Sequence, residues 1–213
     1  MLGIVSRQRL GLLRHCLNSA IVNAGDVEFG ATVVFDDDIE GYLACPEYPW
    51  LTKKLITPRH YYVRSVNTLI STIMEGPLPD YIVSIDDDTE FIQTPWAEVC
   101  VSFFDEQFPD GLGLMDLLSH NECGQLFTTP AFVKQMGGLL HDPAYLQFYA
   151  DTDLRRKVGN RFIHLNSLKG RPFFVHKRDF STSGHTTLSS IKTADFKVFK
   201  ARAAANNWDL YEA

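Results

Sequence analysis

Strand-like and helix-like stretches take turns from the start of the chain. The LGIVS run predicts a strand over 3–6. Leu10, Leu13, Leu17 and Ile21 then recur near one helical face within 9–24, and Gly25-Asp26 breaks the pattern. ATVVF lies at the heart of a buried-type strand over 29–35. An aromatic and proline-rich loop follows through Cys45-Pro46 and Tyr48-Pro49-Trp50, with a short third strand over 54–57. Val63, Val66, Leu69, Ile70 and Ile73 mark a helix over 62–74, ended by Gly76, Pro77 and Pro79. A strand over 81–85 comes next, then a helix over 96–104 opened by Pro95.

Beyond that point the elements shorten. Residues 112–118 and 126–127 read as strands or turns, and 131–136 as a short helix before Gly137-Gly138. A helix carries 154–158 and stops at Gly159; 162–165 and 172–175 read as short strands, and 194–206 as a closing helix. The alternation in the first half predicts an α/β fold, a mostly parallel sheet with helices on both faces. Ligands in such sheets bind beyond the carboxyl ends of the strands.

Length and composition narrow the class. The 213 residues suit one domain, and 45% apolar residues with 15 phenylalanines supply a core, which excludes a disordered chain. A net charge of -6 gives no strong nucleic-acid signal. Cys16, Cys45, Cys100 and Cys123 form no C-x-x-C pair, so the expectation is free thiols in a reducing cytoplasm. The opening MLGIVSRQRLGLL has too short an apolar run for a signal peptide, and no stretch is long enough for a transmembrane segment.

The chemistry concentrates in acids. Two strands run into aspartate triplets, Asp36–Asp38 and Asp86–Asp88. Like charges at that spacing repel, so a metal ion, basic side chains or solvent must offset them. In an extended turn Asp86 and Asp88 face one way and Asp87 the other, and paired carboxylates are hard ligands suited to Mg²⁺ or Mn²⁺. A second set, YADTDLRRK, puts Asp151 and Asp153 at a helix start, where the dipole favours them and where simple capping would also place them. Arg155, Arg156 and Lys157 follow directly. His176 in FFVHKRD is a packed histidine or a ligand, and His185 is a weaker case of the same kind. The chain has no G-x-G-x-x-G, no phosphate loop and no G-x-S-x-G elbow.

Taken in order, IVSRQRLGLLRHCL, VVFDDD, VRSVNTLISTI, DYIVSIDDDTEF, GGLLHDPAYLQFYADTDLRRKVGNRF and FFVHKRDFSTSG resemble the inverting, family-two glycosyltransferases of the GT-A fold, over about residues 3–185. The family's E-D pair reads Ala150-Asp151 here, and the segment 111–129 is compact.

The resemblance implies a Rossmann-like GT-A domain over 1–213. Its nucleotide-binding half is about 1–92, its acceptor and catalytic half about 93–190, and its C-terminal helix about 191–210. It implies a hexosyltransferase-like enzyme that moves a sugar from a UDP-, GDP- or dTDP-sugar to an acceptor hydroxyl, with inversion. Ser6, Arg9, Asp36 (or Asp37), Asn67, Asp86 and Asp87 would contact the nucleotide-sugar. Asp88, Asp86 and His176 would hold Mn²⁺ or Mg²⁺, and Asp151 would be the general base. Arg155, Arg156 or Lys177 would add charge near phosphate, or simply solvate a helix face. The D-x-D pattern also serves retaining enzymes. Two other readings are a sugar nucleotidyltransferase and a non-catalytic nucleotide-binding or scaffold domain.

Overall fold

The computed structural model describes residues 1–117, 124–165, 174–176 and 189–206. Strands β1 (Leu2–Ser6), β2 (Ala31–Asp36), β3 (Leu51–Ile56) and β4 (Ile82–Asp86) pair in parallel, in the order β3-β2-β1-β4. The sheet continues through β7 (Leu126–Thr128), antiparallel to β4 and to β6 (Leu114–Asp116), and ends in β8 (Phe162–His164), parallel to β6. Only β7 is reversed in this seven-stranded sheet, as far as the described residues go, so the other six strands end at one carboxyl edge. A separate ribbon pairs β5 (Thr89–Phe91) with β9 (Phe174–His176).

Helices cover both faces. Leu13 and Leu17 of α1 (Leu10–Val22) and Cys100 and Phe104 of α4 (Trp96–Gln107) pack on Ile4, Val33, Phe35, Ile85 and Phe127. On the other face, Val66, Leu69 and Ile70 of α3 (Tyr61–Glu75), Val133 of α5 (Pro130–Gln135) and Leu154 of α6 (Ala150–Val158) pack on Val34, Ile82, Leu114 and Leu126. Gly3 faces α3: a Cβ there would lie 2.9 Å from Leu69 Cδ2, so the bare backbone lets the helix lie close on β1. Among the described residues no helix is long and apolar enough to cross a membrane. Cys16, Cys45 and Cys100 are buried free thiols, and Cys123 lies outside the described residues.

Two elements escape the hydrophobic pattern. Helix α2 (Ile39–Ala44) buries only Gly41; a polar cap holds its start, the Asp38 carboxylate accepting from Gly41 N–H at 2.9 Å. Strand β5 has three residues, and its partner β9 lies more than eighty positions away in sequence. Neither could announce itself through local periodicity.

Helix α7 (Ser189–Asn206) braces the far half. Phe199 joins Val63, Tyr145 and Ala150 in a third small core. Asp195, 1% exposed, accepts N–H bonds from Leu146, Gln147 and Phe148 at 3.0, 2.9 and 2.8 Å. Arg202 pairs with Asp142 and with Asp153. Asp195→Ala would orphan three backbone donors, and we expect it to cost at least about 3 kcal/mol in urea unfolding, with Asp195→Asn costing less. A loss below about 1 kcal/mol would refute the brace.

Candidate active site

The site is built on the carboxyl edge of the sheet. Both aspartate triplets end there, on β2 and β4. Side-chain parity then sorts the residues near that edge by face. Val34, Ile82, Leu114 and Phe162 belong to the core on the α3 face. Residues two or four positions further along these strands point the same way, which puts Asp36, Asp86, Asp116 and His164 on the α3 face near one edge.

Strain collects at the same edge. Among the described residues, four non-glycines have left-handed backbone: Gln8 (φ 58°), Asp37 (φ 57°), Tyr61 (φ 61°) and Tyr149 (φ 62°). They stand after β1, after β2, at the start of α3 and before α6. Each such residue costs on the order of 1 kcal/mol or more and persists only where neighbours over-determine it.

The positive partner of the second triplet is Arg9, in the loop after β1. Its Nη2 lies 2.5 Å from Asp87 Oδ1, and its Nη1 lies 2.9 Å from Asp88 Oδ2. Ser6 Oγ donates to Asp87 Oδ2 at 2.7 Å. Asp87 is fully buried, and burial pushes its pKa up to about 6 against the pull of Arg9 and Ser6. Burial works against the Arg9 charge, but Asp87, Asp88 and Asp86 outweigh it and raise its pKa. Beneath them lies the Cys16 thiol, its pKa raised by burial and then by the same acids.

Asp86 is held from the other side. Gln125, at the start of β7, donates from Nε2 to Asp86 Oδ2 at 2.8 Å and accepts at Oε1 from Asp86 N–H at 2.9 Å and Thr89 Oγ at 3.2 Å. The alternation expected along 86–88 therefore does not hold. Residues 87 and 88 form a turn rather than extended chain, so Asp87 and Asp88 share Arg9 while Asp86 faces Gln125.

The remaining expected residues spread along the edge. Asp36 is buried and accepts from His60 N–H at 2.7 Å; Asp37 beside it is exposed. Asp38 accepts from Gln8 N–H at 2.6 Å, joining the loop after β1 to α2. Asn67 spends its side-chain amide on the backbone of His141, donating at 2.8 Å and accepting at 3.2 Å. It braces the loop ahead of α6 against α3. Asp151 is half-buried in the first turn of α6, its Oδ1 accepting from Thr152 N–H at 2.8 Å. Burial lowers the pKa of nearby His141, with Asp151 and the Ala150 backbone acting the other way.

Ala150 stands where the resembled pattern has glutamate, and the structure packs it into the core of Val63, Tyr145 and Phe199. A carboxylate there would be buried among apolar groups. Arg155 and Arg156 are drawn onto aromatic rings, over Phe162 at 5.8 Å and Phe199 at 5.1 Å. The backbone of His176 lies opposite Thr89 in the ribbon, one residue past Asp88. The His176 side chain, Lys177 and His185 lie outside the described residues.

Gln125, and the pair Asp116–His164, are residues that motif reading passed over. The available signal for Gln125 was only its place as a polar residue just before the apolar Leu126-Phe127. For Asp116 and His164 the sequence held no local signal, because their shared parity with Asp86 exists only in the register of the folded sheet.

No protein-family description and no curated protein matches this sequence. Solved structures do match in shape. TarS from S. aureus aligns at TM-score 0.61 and 11% identity, over 81% of this chain and 35% of that one. TarS 1–349 from S. aureus aligns at 0.59 and 11%, over 81% and 58%. The mannosyltransferase PcManGT from Pyrobaculum calidifontis, in complex with GDP-Man and Mn²⁺, aligns at 0.57 and 13%, over 76% and 53%. The chain thus spans between 35% and 58% of the length of these structures. At such identity the likeness establishes the fold, that of GT-A-like glycosyltransferases.

The Arg9 network makes a clean stability prediction. Arg9→Met strands a fully buried carboxylate, and we expect a loss of about 3–5 kcal/mol in urea unfolding at pH 8. Adding Asp87→Asn to that variant should restore most of it. A double variant no more stable than Arg9→Met would show that the two side chains act independently.

Proposed function

We propose that this chain is a metal-dependent glycosyltransferase domain that moves a hexose from a nucleotide-diphosphate sugar to an acceptor hydroxyl, with inversion. The observation that carries the reading is that Asp36 and Asp86 end parallel strands at the same carboxyl edge of a GT-A-like sheet, with Asp88 in the turn just after Asp86 and Asp151 in the first turn of α6. The mannosyltransferase of similar fold, solved with GDP-Man and Mn²⁺, supports a nucleotide-sugar donor and a divalent ion.

The donor set fits a hard cation. Asp86 and Asp88 stand two residues apart at one strand tip, each with one carboxylate oxygen engaged, by Gln125 and by Arg9, and the backbone of His176 lies opposite the neighbouring Thr89. Among the described residues no three His, Cys, Asp or Glu side chains form a self-sufficient metal cage. Mg²⁺ and Mn²⁺ nucleotide sites do not need one, because substrate phosphates supply further ligands. When bound, the ion would neutralise charge on the departing diphosphate.

The chain's own residues have the other tasks. Asp36 and Asp86 line the donor side, at the base and ribose. Arg9 holds Asp87 and Asp88 together, and Ser6 fixes Asp87. Gln125 sets the orientation of Asp86. Asp151 takes the proton of the acceptor hydroxyl as its oxygen attacks the anomeric carbon. The bond to the diphosphate breaks, and the electron pair leaves with that group.

Thermal-shift measurements with UDP-, GDP- and dTDP-sugars, with and without Mn²⁺, test the donor half. One nucleotide class should stabilise the protein only when Mn²⁺ is present, and Asp88→Ala should abolish that shift. A shift that persists in Asp88→Ala would remove the metal assignment. Asp151→Asn should keep the shift but slow release of nucleoside diphosphate about 100-fold or more. Unchanged release would remove the base assignment, and pyrophosphate as the product would turn the reading to nucleotidyl transfer.

A further inference from the structure

Strands β6 and β8 end in a pair that the proposed reaction leaves unused. His164 Nδ1 lies 2.9 Å from Asp116 Oδ2; Asp116 is fully buried, while 26% of the His164 side chain is exposed. With the carboxylate on Nδ1, Nε2 is turned away from the pair, and in the Nδ1–H tautomer it is a hydrogen-bond acceptor.

The pair is not needed to join its two strands. β6 and β8 are already joined by a parallel ladder, Leu114 with Phe162, Met115 with Ile163 and Asp116 with His164. The ladder already joins the two strands, so that join does not need the bond between the His164 ring and Asp116.

The position of the pair points to a use. Asp116 and His164 share the α3 face with Asp86 and stand near the same carboxyl edge. Asp116 is level with Leu126 of β7 and, through it, with Ser84 of β4. Two strand spacings across and one side-chain row down separate Asp116 from Asp86, about 12 Å. His164 lies one strand further out. Gln125 sits between, holding Asp86 with its side chain while its carbonyl accepts from Leu117 N–H at 2.8 Å. That span is of the size of one or two sugar rings. Phe162 meets the His164 ring edge-on at 4.8 Å and fixes its plane.

We propose that His164 binds a hydroxyl of a saccharide acceptor through Nε2, and that Asp116 is the positioning residue that sets its tautomer. This rests on the glycosyltransferase reading and names its acceptor class. No proton leaves the hydroxyl at this point; the pair orients the acceptor across the edge from the donor carboxylates.

The test uses the full chain with ¹⁵N-labelled histidine. Imidazole ¹H–¹⁵N spectra are followed during titration with the methyl glycosides of glucose, galactose, mannose and N-acetylglucosamine. The Nε2 signal of His164, assigned by its loss in His164→Asn, should move saturably with at least one glycoside. Asparagine can keep a bond to Asp116 but has no Nε2. His164→Asn should therefore retain the melting temperature and the Mn²⁺-dependent nucleotide-sugar shift, while binding that glycoside about tenfold more weakly by calorimetry. If that variant does not fold, Asp116→Asn, expected to move the proton to Nε2, is read in its place and should weaken the glycoside similarly. A His164 signal that no glycoside moves, or unchanged binding in the variant, overturns the proposal. If nucleotide sugars bind while His164 stays silent, the acceptor inference falls alone. If His164 titrates but no nucleotide sugar binds, the glycosyltransferase reading falls and a saccharide-binding edge remains.

Discussion

The fork of Arg9 between Asp87 and Asp88 is the constraint on which the edge of this sheet depends. Three consecutive carboxylates at a strand tip repel one another, and one of them is fully buried. A guanidinium suits the gap because its nitrogens reach two carboxylates at once in a fixed plane. Lysine, as a point charge, would not. Even so, Asp87 keeps a pKa raised to about 6, so its pairing does not fully repay the loss of water. Structures seldom keep an arrangement that expensive without a reason, and its place at the ends of β1 and β4 is where open α/β sheets bind ligands.

Around that fork the edge is over-determined by long-range braces. Asp38 ties the loop after β1 to α2, Gln125 ties β7 to the turn after β4, and Asn67 ties α3 to the loop ahead of α6. Asp195 reaches in from the C-terminal helix to hold three successive amides of that same loop. These contacts explain how four non-glycine residues tolerate left-handed backbone. A scaffold that fixes its side chains in this way can present charged groups to a ligand without reorganising at each encounter.

The two halves of the sheet differ in the polar residues they bring to the edge. The first half carries short, recognisable acid motifs on β2 and β4. The far side departs from the resembled pattern at Ala150, which the fold uses as core, and offers instead an aspartate and a histidine on β6 and β8. Shape alone, at 11–13% identity, says what the chain folds into. The chemistry has to be argued from the residues themselves.

Much was legible from the residues in order. Long apolar periodicities located β1, α1, β2, α3, β4 and α4, because each buries a continuous face and repeats its pattern several times. The two acid triplets end at one carboxyl edge, and the alternation of elements declared the parallel sheet. The features that stayed hidden share one physical cause. α2 rests on a single polar cap, β5 on a strand far away in sequence, and Gln125, Asp116 and His164 on partners tens of residues distant. Asn67 matched a ligand motif, yet its amide is committed to the backbone of His141, seventy-four positions on. Local hydrophobic patterning is written in neighbouring residues, so the chain discloses it. Which polar group meets which depends on chain closure over long separations, and only the folded sheet decides that.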